Sequence, residues 1–280
     1  MHQDLRHAEE RRREWINERR AAVIAAYDAD AATYDRHPYP NRPQQVWVKR
    51  LLATCPDHGI VLDAPCGTGR YFPFVAAAGH RVVGIDQSAN MLAEAQRRGI
   101  AIDLQHVSLQ DLSFVERFDA VMTIDAMENV APEDWPGVLA NLHRALRPGG
   151  HLYVTVEEHH DVDYAAAHEA LLERGLPAVP GEIIDGDVAG YHHLPSRDQV
   201  IEWIATAELA LIDEAYHQED GWGYRHLLLQ RPTRAHVPAT ASLVSQHPAS
   251  TPCSVTQEAT ELRTAHPDVS LRGGGGDLAR

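Results

Sequence analysis

Apolar positions at helical spacing open the chain: Leu5, Ala8, Trp15, Ile16, Val23 and Ala26 recur among charged residues and predict a helix over 2–35. The run His37-Pro38-Tyr39-Pro40-Asn41-Arg42-Pro43 breaks it, because each proline disfavours helix in the residue before it. A short helix is expected from Gln44 to Thr54. From residue 59 short apolar runs alternate with amphipathic segments. Strands are predicted at Ile60–Leu62, Arg81–Ile85, Ile100–His106, Phe118–Ile124 and His151–Val156. Helices are predicted at Tyr71–Ala78, Ala89–Arg98 and Trp135–Leu146, the last stopped by Pro148-Gly149-Gly150. This alternation implies α/β architecture with a doubly wound, mostly parallel sheet. The pattern then changes. A helix over Asp163–Arg174, a loop-rich stretch over Pro177–Asp187 and a Ser196-capped helix to Ala207 precede two strands, Leu209–Tyr216 and Tyr224–Gln230. Only Asp220-Gly221-Trp222-Gly223 links those strands, so they form a C-terminal antiparallel hairpin. After Pro232 periodicity stops. The expected organisation is a helical N-terminal extension (1–43), an α/β domain (44–232) and a disordered tail (233–280) rich in Ser, Thr, Pro, His and Gly.

Composition narrows the function classes. The 280 residues are 44% hydrophobic and 23% charged, enough apolar material for a sizeable core. Forty acidic residues against 25 basic ones give a formal charge of −15, which argues against a nucleic-acid partner. No apolar run has membrane-spanning length, and Met1–Arg20 lacks the apolar stretch of a secretory signal. Cys55, Cys66 and Cys253 are scattered, without disulfide or metal-ligand spacing. A reduced, cytoplasmic protein with no membrane partner is expected.

The strongest chemical signal is Val61-Leu62-Asp63-Ala64-Pro65-Cys66-Gly67-Thr68-Gly69-Arg70, at the junction of the first strand and its helix. Glycines there let a ligand approach the backbone. A dinucleotide site wants G-x-G-x-x-G, but counting from Gly67 and Gly69 the third position is Phe72. Asp63 at the strand end instead suits a ligand carrying an ammonium group. Asp86 ends the next strand, where an acid can accept hydrogen bonds from both ribose hydroxyls of an adenosine moiety, or cap the following helix.

With these residues the chain resembles the class I S-adenosylmethionine-dependent methyltransferases. Asp63 to Gly69 is similar to their glycine-rich first motif and Asp86 to the acid after their second strand. Phe118-Asp119-Ala120-Val121 is similar to their fourth-strand motif, and Leu146-Arg147-Pro148-Gly149-Gly150 to the turn before their fifth strand. The four motifs occur in family order, and the resemblance spans about residues 20–232. It implies a Rossmann-like fold, S-adenosyl-L-methionine as cofactor, and cofactor contacts from Asp63, Ala64, Pro65, Cys66, Gly67, Gly69, Asp86, Gln87, Leu109 and Ile124. It also implies an N-terminal lid. Tyr27-Asp28 and Tyr34-Asp35 lie seven residues apart, and relatives with such a pattern place a tyrosine, here Tyr34, near the methionine end of the cofactor. The chain departs from the family at Pro65, where many relatives have glycine, and at Ser108-Leu109, where an Asp is frequent. It also has Glu128-Asn129 in place of Glu-His.

The acceptor side is less defined. Glu157-Glu158-His159-His160-Asp161 follows the fifth strand, and Tyr191-His192-His193 follows a glycine-containing loop. Ligands of open α/β sheets sit at the carboxyl ends of the strands, so these segments are candidate lining for a small-molecule acceptor. His159, His192 and His193 are the candidate general bases. Adjacent histidines on a strand point to opposite faces, so a metal site is not expected. The reading is methyl transfer to a small-molecule acceptor through nitrogen, oxygen or carbon. The alternative is a cofactor-binding sensor or inactive partner on the same fold.

Overall fold

The computed structural model describes residues 2–36, 41–158, 163–184, 190–219 and 222–233. The expected tail therefore lies outside the described residues, as does His159. The sheet has seven strands in the order β3-β2-β1-β4-β5-β9-β8. They are β1 (Ile60–Asp63), β2 (Arg81–Asp86), β3 (Asp103–His106), β4 (Phe118–Thr123), β5 (Leu146–Glu158), β8 (Ala210–Glu219) and β9 (Trp222–Gln230). Strands β1 to β5 pair in parallel, while β9 runs antiparallel to both β5 and β8. The doubly wound sheet with a terminal hairpin is thus present. Strand order reverses between β1 and β4, which opens a crevice at their carboxyl ends.

The central strands are buried on both faces. In β2 every residue after Arg81 is buried, and in β4 every residue but Asp119, as expected for strands covered by helices on both sides. One face packs against α5 (Trp135–Ala145) and α7 (Arg197–Thr206) through Val138, Leu142, Val200 and Ile204. The other packs against α2 (Arg42–Leu52), α3 (Phe72–Ala77) and α4 (Ala89–Arg97) through Trp47, Leu51, Phe72 and Ala95. Local signals set the helix ends. Asn41 caps α2 in a reciprocal box with Gln44, and Ser88 and Ser196 accept hydrogen bonds from Met91 N and Gln199 N at the starts of α4 and α7.

Three expectations need adjustment. The first helix, α1, spans His2–Asp30, and a short 3₁₀ turn at Tyr34–Arg36 follows it. Asp30 ends the helix by accepting from the Thr33 backbone and hydroxyl. Strand β5 begins at Leu146 rather than His151. Extended backbone continues through Pro148-Gly149-Gly150, with Gly149 at φ +85 and a register shift against β4. The stretch after α6 (Tyr164–Glu173) also holds a two-stranded ladder, β6 (Glu182–Ile183) with β7 (His192–His193). Strands this short carry no readable period.

Candidate functional site

The turn after β1 is shaped by its own sequence. The Ala64–Pro65 peptide is cis, Cys66 N donates to Ile85 O, and Gly67 and Gly69 take φ +50 and +78. Both positive values lie in the region that glycine adopts without strain. A Cβ on Gly69 would stand 2.6 Å from the Phe72 ring, and one on Gly84 would stand 2.9 Å from it. Phe72, at the position of the missing third glycine, therefore fills the space between helix and strand. Gly67 differs, since a Cβ there would meet nothing nearer than Tyr34 Cε1 at 4.0 Å.

Around this turn lies an open cleft lined by Tyr27, Tyr34, Arg70, Tyr71, Asp86, Gln87, Ile124, Asp125 and Asn129. Pro65, Cys66 and Gly67 line it as well. A second hollow of about 450 Å³ shares Pro65, Gln87, Ala126 and Asn129 with the first and adds Ser108, Leu109 and Gln110. Together they form a groove along the strand ends. Most of the sequence-derived contacts converge there: Tyr34, Pro65, Cys66, Gly67, Asp86, Gln87, Leu109 and Ile124. Asp63, Ala64 and Gly69 stand behind the wall. Ala64 is fully buried with its N–H on Met122 O, and Gly69 N–H closes the turn on Cys66 O.

Two acids face the turn. Asp86 accepts from Gly67 N and Ser88 N, both at 2.8 Å. It holds the turn while Ser88, not Asp86, caps α4. Burial raises its pKa despite those bonds. Asp63 is 1% exposed, and its Oδ2 has no hydrogen-bond partner among the described residues. Burial first, then the Asp86 charge, pushes its acid well up. An orphaned carboxylate oxygen behind a glycine turn is an unmet demand for a donor. That fits a ligand with an ammonium group.

The N-terminal helix closes over this region. Asp28 accepts from Ser88 Oγ and Asn90 N at the start of α4. Asp35 ties the Tyr34–Arg36 turn to Thr68, Arg70 and Arg98. Tyr27 and Tyr34 meet edge to face at 6.0 Å, and the Arg70 guanidinium lies 4.1 Å over the Tyr34 ring.

The histidines separate as alternation along a strand requires. His192 Nδ1 is 2.9 Å from Glu157 Oε2. His193 points the other way, 1% exposed between Trp135 and Trp203, with burial pushing its pKa down to about 4. Sequence reasoning missed Asp125, Gln44 and Arg70. Gln44 Nε2 donates to both Asp125 oxygens at 2.8 and 2.7 Å, and Asp125 N donates to Thr155 Oγ1. Asp125 sits at φ +48, a left-handed conformation for a non-glycine residue. Its place directly after the fourth strand was a signal available in the sequence.

Comparison with known proteins agrees with this architecture. A family model described as a methyltransferase domain matches residues 61–150. Malonyl-[acyl-carrier protein] O-methyltransferase of Pectobacterium atrosepticum is 30% identical over 195 residues, covering 66% of this chain and 74% of that protein. Demethylmenaquinone methyltransferase of Clavibacter sepedonicus is 27% identical over 71% of this chain and 86% of its own. Among solved structures, the 1,6-didemethyltoxoflavin-N1-methyltransferase of Burkholderia thailandensis superposes with a TM-score of 0.58 at 18% identity. That match covers 77% of this chain and 90% of the other, and shows a shared fold. Motif order, sheet topology and these relatives agree: the chain belongs to the class I S-adenosylmethionine-dependent methyltransferases.

Proposed function

We propose that the groove holds S-adenosylmethionine and that a small-molecule acceptor enters beside Asp125, between the Tyr27–Tyr34 lid and the end of β5. The carrying observation is the orphaned, buried Asp63 carboxylate behind a glycine turn held by Asp86. In this reading Asp63 faces the ammonium of the cofactor and Asp86 accepts from its ribose hydroxyls. Gly67 admits the ligand to the backbone. Pro65, Cys66, Gln87, Leu109, Ile124 and Tyr34 provide the walls. When bound, the cofactor supplies a methyl group on a positively charged sulfur, already activated for displacement. The chain's own contribution is then alignment, which can supply roughly 7–11 kcal/mol of the barrier. Of the two candidate histidines among the described residues, His192 is paired with an acid, Glu157, whereas His193 lies in an aromatic pocket away from the groove lining.

The names of the relatives span malonyl-[acyl-carrier protein], demethylmenaquinone and 1,6-didemethyltoxoflavin, so the acceptor must be read from this chain's own residues. Titration calorimetry tests the cofactor assignment. S-adenosylhomocysteine should bind and NADH should not. Asp63→Asn should weaken S-adenosylhomocysteine by about 1.5–3 kcal/mol, the cost of a lost charged hydrogen bond. The free variant should melt close to the wild-type temperature, because burial already favours the neutral acid at Asp63. Tight NADH binding, or unchanged affinity in Asp63→Asn, would refute it.

A further inference from the structure

The cleft lining holds two acids, Asp86 and Asp125, and their partners differ in kind. Asp86 accepts from Gly67 N and Ser88 N, backbone groups of the glycine turn and of the start of α4. Asp125 is half-buried and accepts from a side chain brought from α2: Gln44 Nε2 lies 2.8 and 2.7 Å from its two oxygens. Thr155 Oγ1 stands 3.5 Å from Oδ1, at the limit of a hydrogen bond. Arg70, the arginine of the same lining, pairs with Asp35 and donates to the Tyr34 carbonyl. Position separates the two acids as well. Asp63 registers with Met122 across the β1–β4 pair, so Asp125 follows three residues further on, past the carboxyl end of β4.

The support of Asp125 is itself fixed. Gln44 is 0% exposed, and its Oε1 accepts from the Tyr71 hydroxyl at 3.0 Å and from Asn41 N at 3.2 Å. A backbone N–H can only donate, so the amide turns Oε1 to Asn41 and Nε2 to Asp125. The Asp125 backbone is pinned too: its N donates to Thr155 Oγ1 at 2.8 Å, and its φ is +48. A non-glycine residue kept in the left-handed region by its surroundings, at the edge of a cleft, is the kind of outlier that marks a functional position. An ionised carboxylate offers about four acceptor positions. Gln44 takes one on each oxygen and Thr155 at most one more, which leaves an acceptor position for a ligand in the cleft. Burial lifts the acid to about 6 against the pull of the Gln44 bond, so at pH 8 the group is ionised and accepts only.

We propose that Asp125 is a specificity-determining residue that binds the methyl acceptor by accepting a hydrogen bond from its O–H or N–H group. This rests on the methyltransferase reading of the same cleft. In that reading the ammonium of the cofactor faces Asp63 and its ribose faces Asp86, so the third acid is left for the other substrate. An acceptor-only group selects by chemistry. An alcohol, a phenol or an amine brings the hydrogen that Asp125 lacks. An ether brings none, and a carboxylate brings a second negative charge to a half-buried place.

The test uses the full chain saturated with S-adenosylhomocysteine. Phenol, aniline, anisole and benzoate share one ring. The first two carry a hydrogen on the hetero atom, anisole has a methyl group in its place, and benzoate is an anion. Calorimetry at pH 8 should show phenol or aniline binding about tenfold or more tightly than anisole, the worth of a hydrogen bond to a charged group, and no binding of benzoate. Asp125→Gly removes the acceptor and adopts the left-handed backbone without strain, so the preference over anisole should vanish. Asp125→Asn keeps the wild-type shape and exchanges a charged acceptor for a neutral one, so the preference should fall about threefold or more. Both variants are confirmed as folded by their melting curves. No preference in the wild type, binding of benzoate to it, or a preference that survives both substitutions overturns the proposal. So does a parallel loss of S-adenosylhomocysteine affinity in the variants, since Asp125 would then serve the cofactor. If the wild type fails to bind S-adenosylhomocysteine, the reading of the cleft fails. If it binds that ligand without preferring phenol or aniline, only the acceptor inference fails.

Discussion

Along β1, β2 and the start of α4, the cleft is held by residues near one another in sequence. Asp86 secures Gly67, 19 positions away, and Ser88, two positions away. Across α1, β5 and the β6–β7 ladder the ties are long. Arg12 donates to Glu182 across 170 positions and to Glu133 across 121, and Arg20 bonds Asp134 across 114. Glu182 is 1% exposed and also accepts from the Tyr191 hydroxyl and Val179 N. The turn after β1 is thus held locally, with the Asp63 Oδ2 left without a partner among the described residues. The clamp around Glu182 is an assembly of distant charged groups. A local turn forms wherever its backbone is allowed. A distant ion pair forms only after the fold has brought it together, and fails as a unit if one member is removed.

Removing that clamp should have the largest effect. Arg12→Ala leaves Glu182 buried without its cation, which costs about 3–5 kcal/mol for a buried pair broken on one side. Limited proteolysis should show cleavage within 163–194 well before 60–130. Equal resistance of both regions in the variant would erase the proposed contrast between them.

Acidity sharpens the comparison from another direction. Burial and the Glu157 charge, against the Gln44 hydrogen bonds, hold the folded Asp125 acid at about 6, above its ordinary 3.8. A raised acid contributes stability that is full below about pH 4 and is lost as pH rises through about 6. His193 and His226 behave oppositely. Burial lowers both to about 4 from 6.5, so their contribution is present above about pH 6.5 and is lost as pH falls toward 4. Thermal melts of the free protein and Asp125→Asn across pH 4–7.5 should therefore diverge. The variant gains relative to wild type as pH rises, by up to about 3 kcal/mol from a shift of about two pH units. A constant difference at every pH would contradict this account of Asp125.

The smallest effect is expected at the cap of α2, which carries Gln44 to Asp125. Asn41→Ala removes one half of a capping box and should cost about 1 kcal/mol. The melting temperature should fall by a few degrees with S-adenosylhomocysteine affinity unchanged.

How much of this was legible follows the same division. Asp63, Gly67 and Asp86 could be read because strand, turn and acid sit at fixed local offsets, and a glycine at φ +50 leaves a trace in the sequence. Asp86 shows the limit of such reading: it could be read as a ribose acceptor or as the cap of the next helix, and the structure gives the cap to Ser88. Asp125 was adjacent to a correctly read strand and still escaped notice. Its chemistry depends on Gln44, 81 positions earlier, whose burial no local pattern reveals.

Two histidines next to one another make the point at the scale of single residues. Once β7 forms, the alternation of a strand makes His192 and His193 face opposite ways. That one meets Glu157 and the other an aromatic pocket was decided when β6 and β7 paired and docked. By itself the sequence determined the alternating elements, the glycine turn and the acids at the strand ends, because these follow from short-range sterics and hydrophobic period. Only the tertiary structure decided which polar groups are buried and which partners they meet. Burial and electrostatics are properties of neighbours in space, and here those neighbours lie far apart along the chain, as Gln44 and Asp125 do.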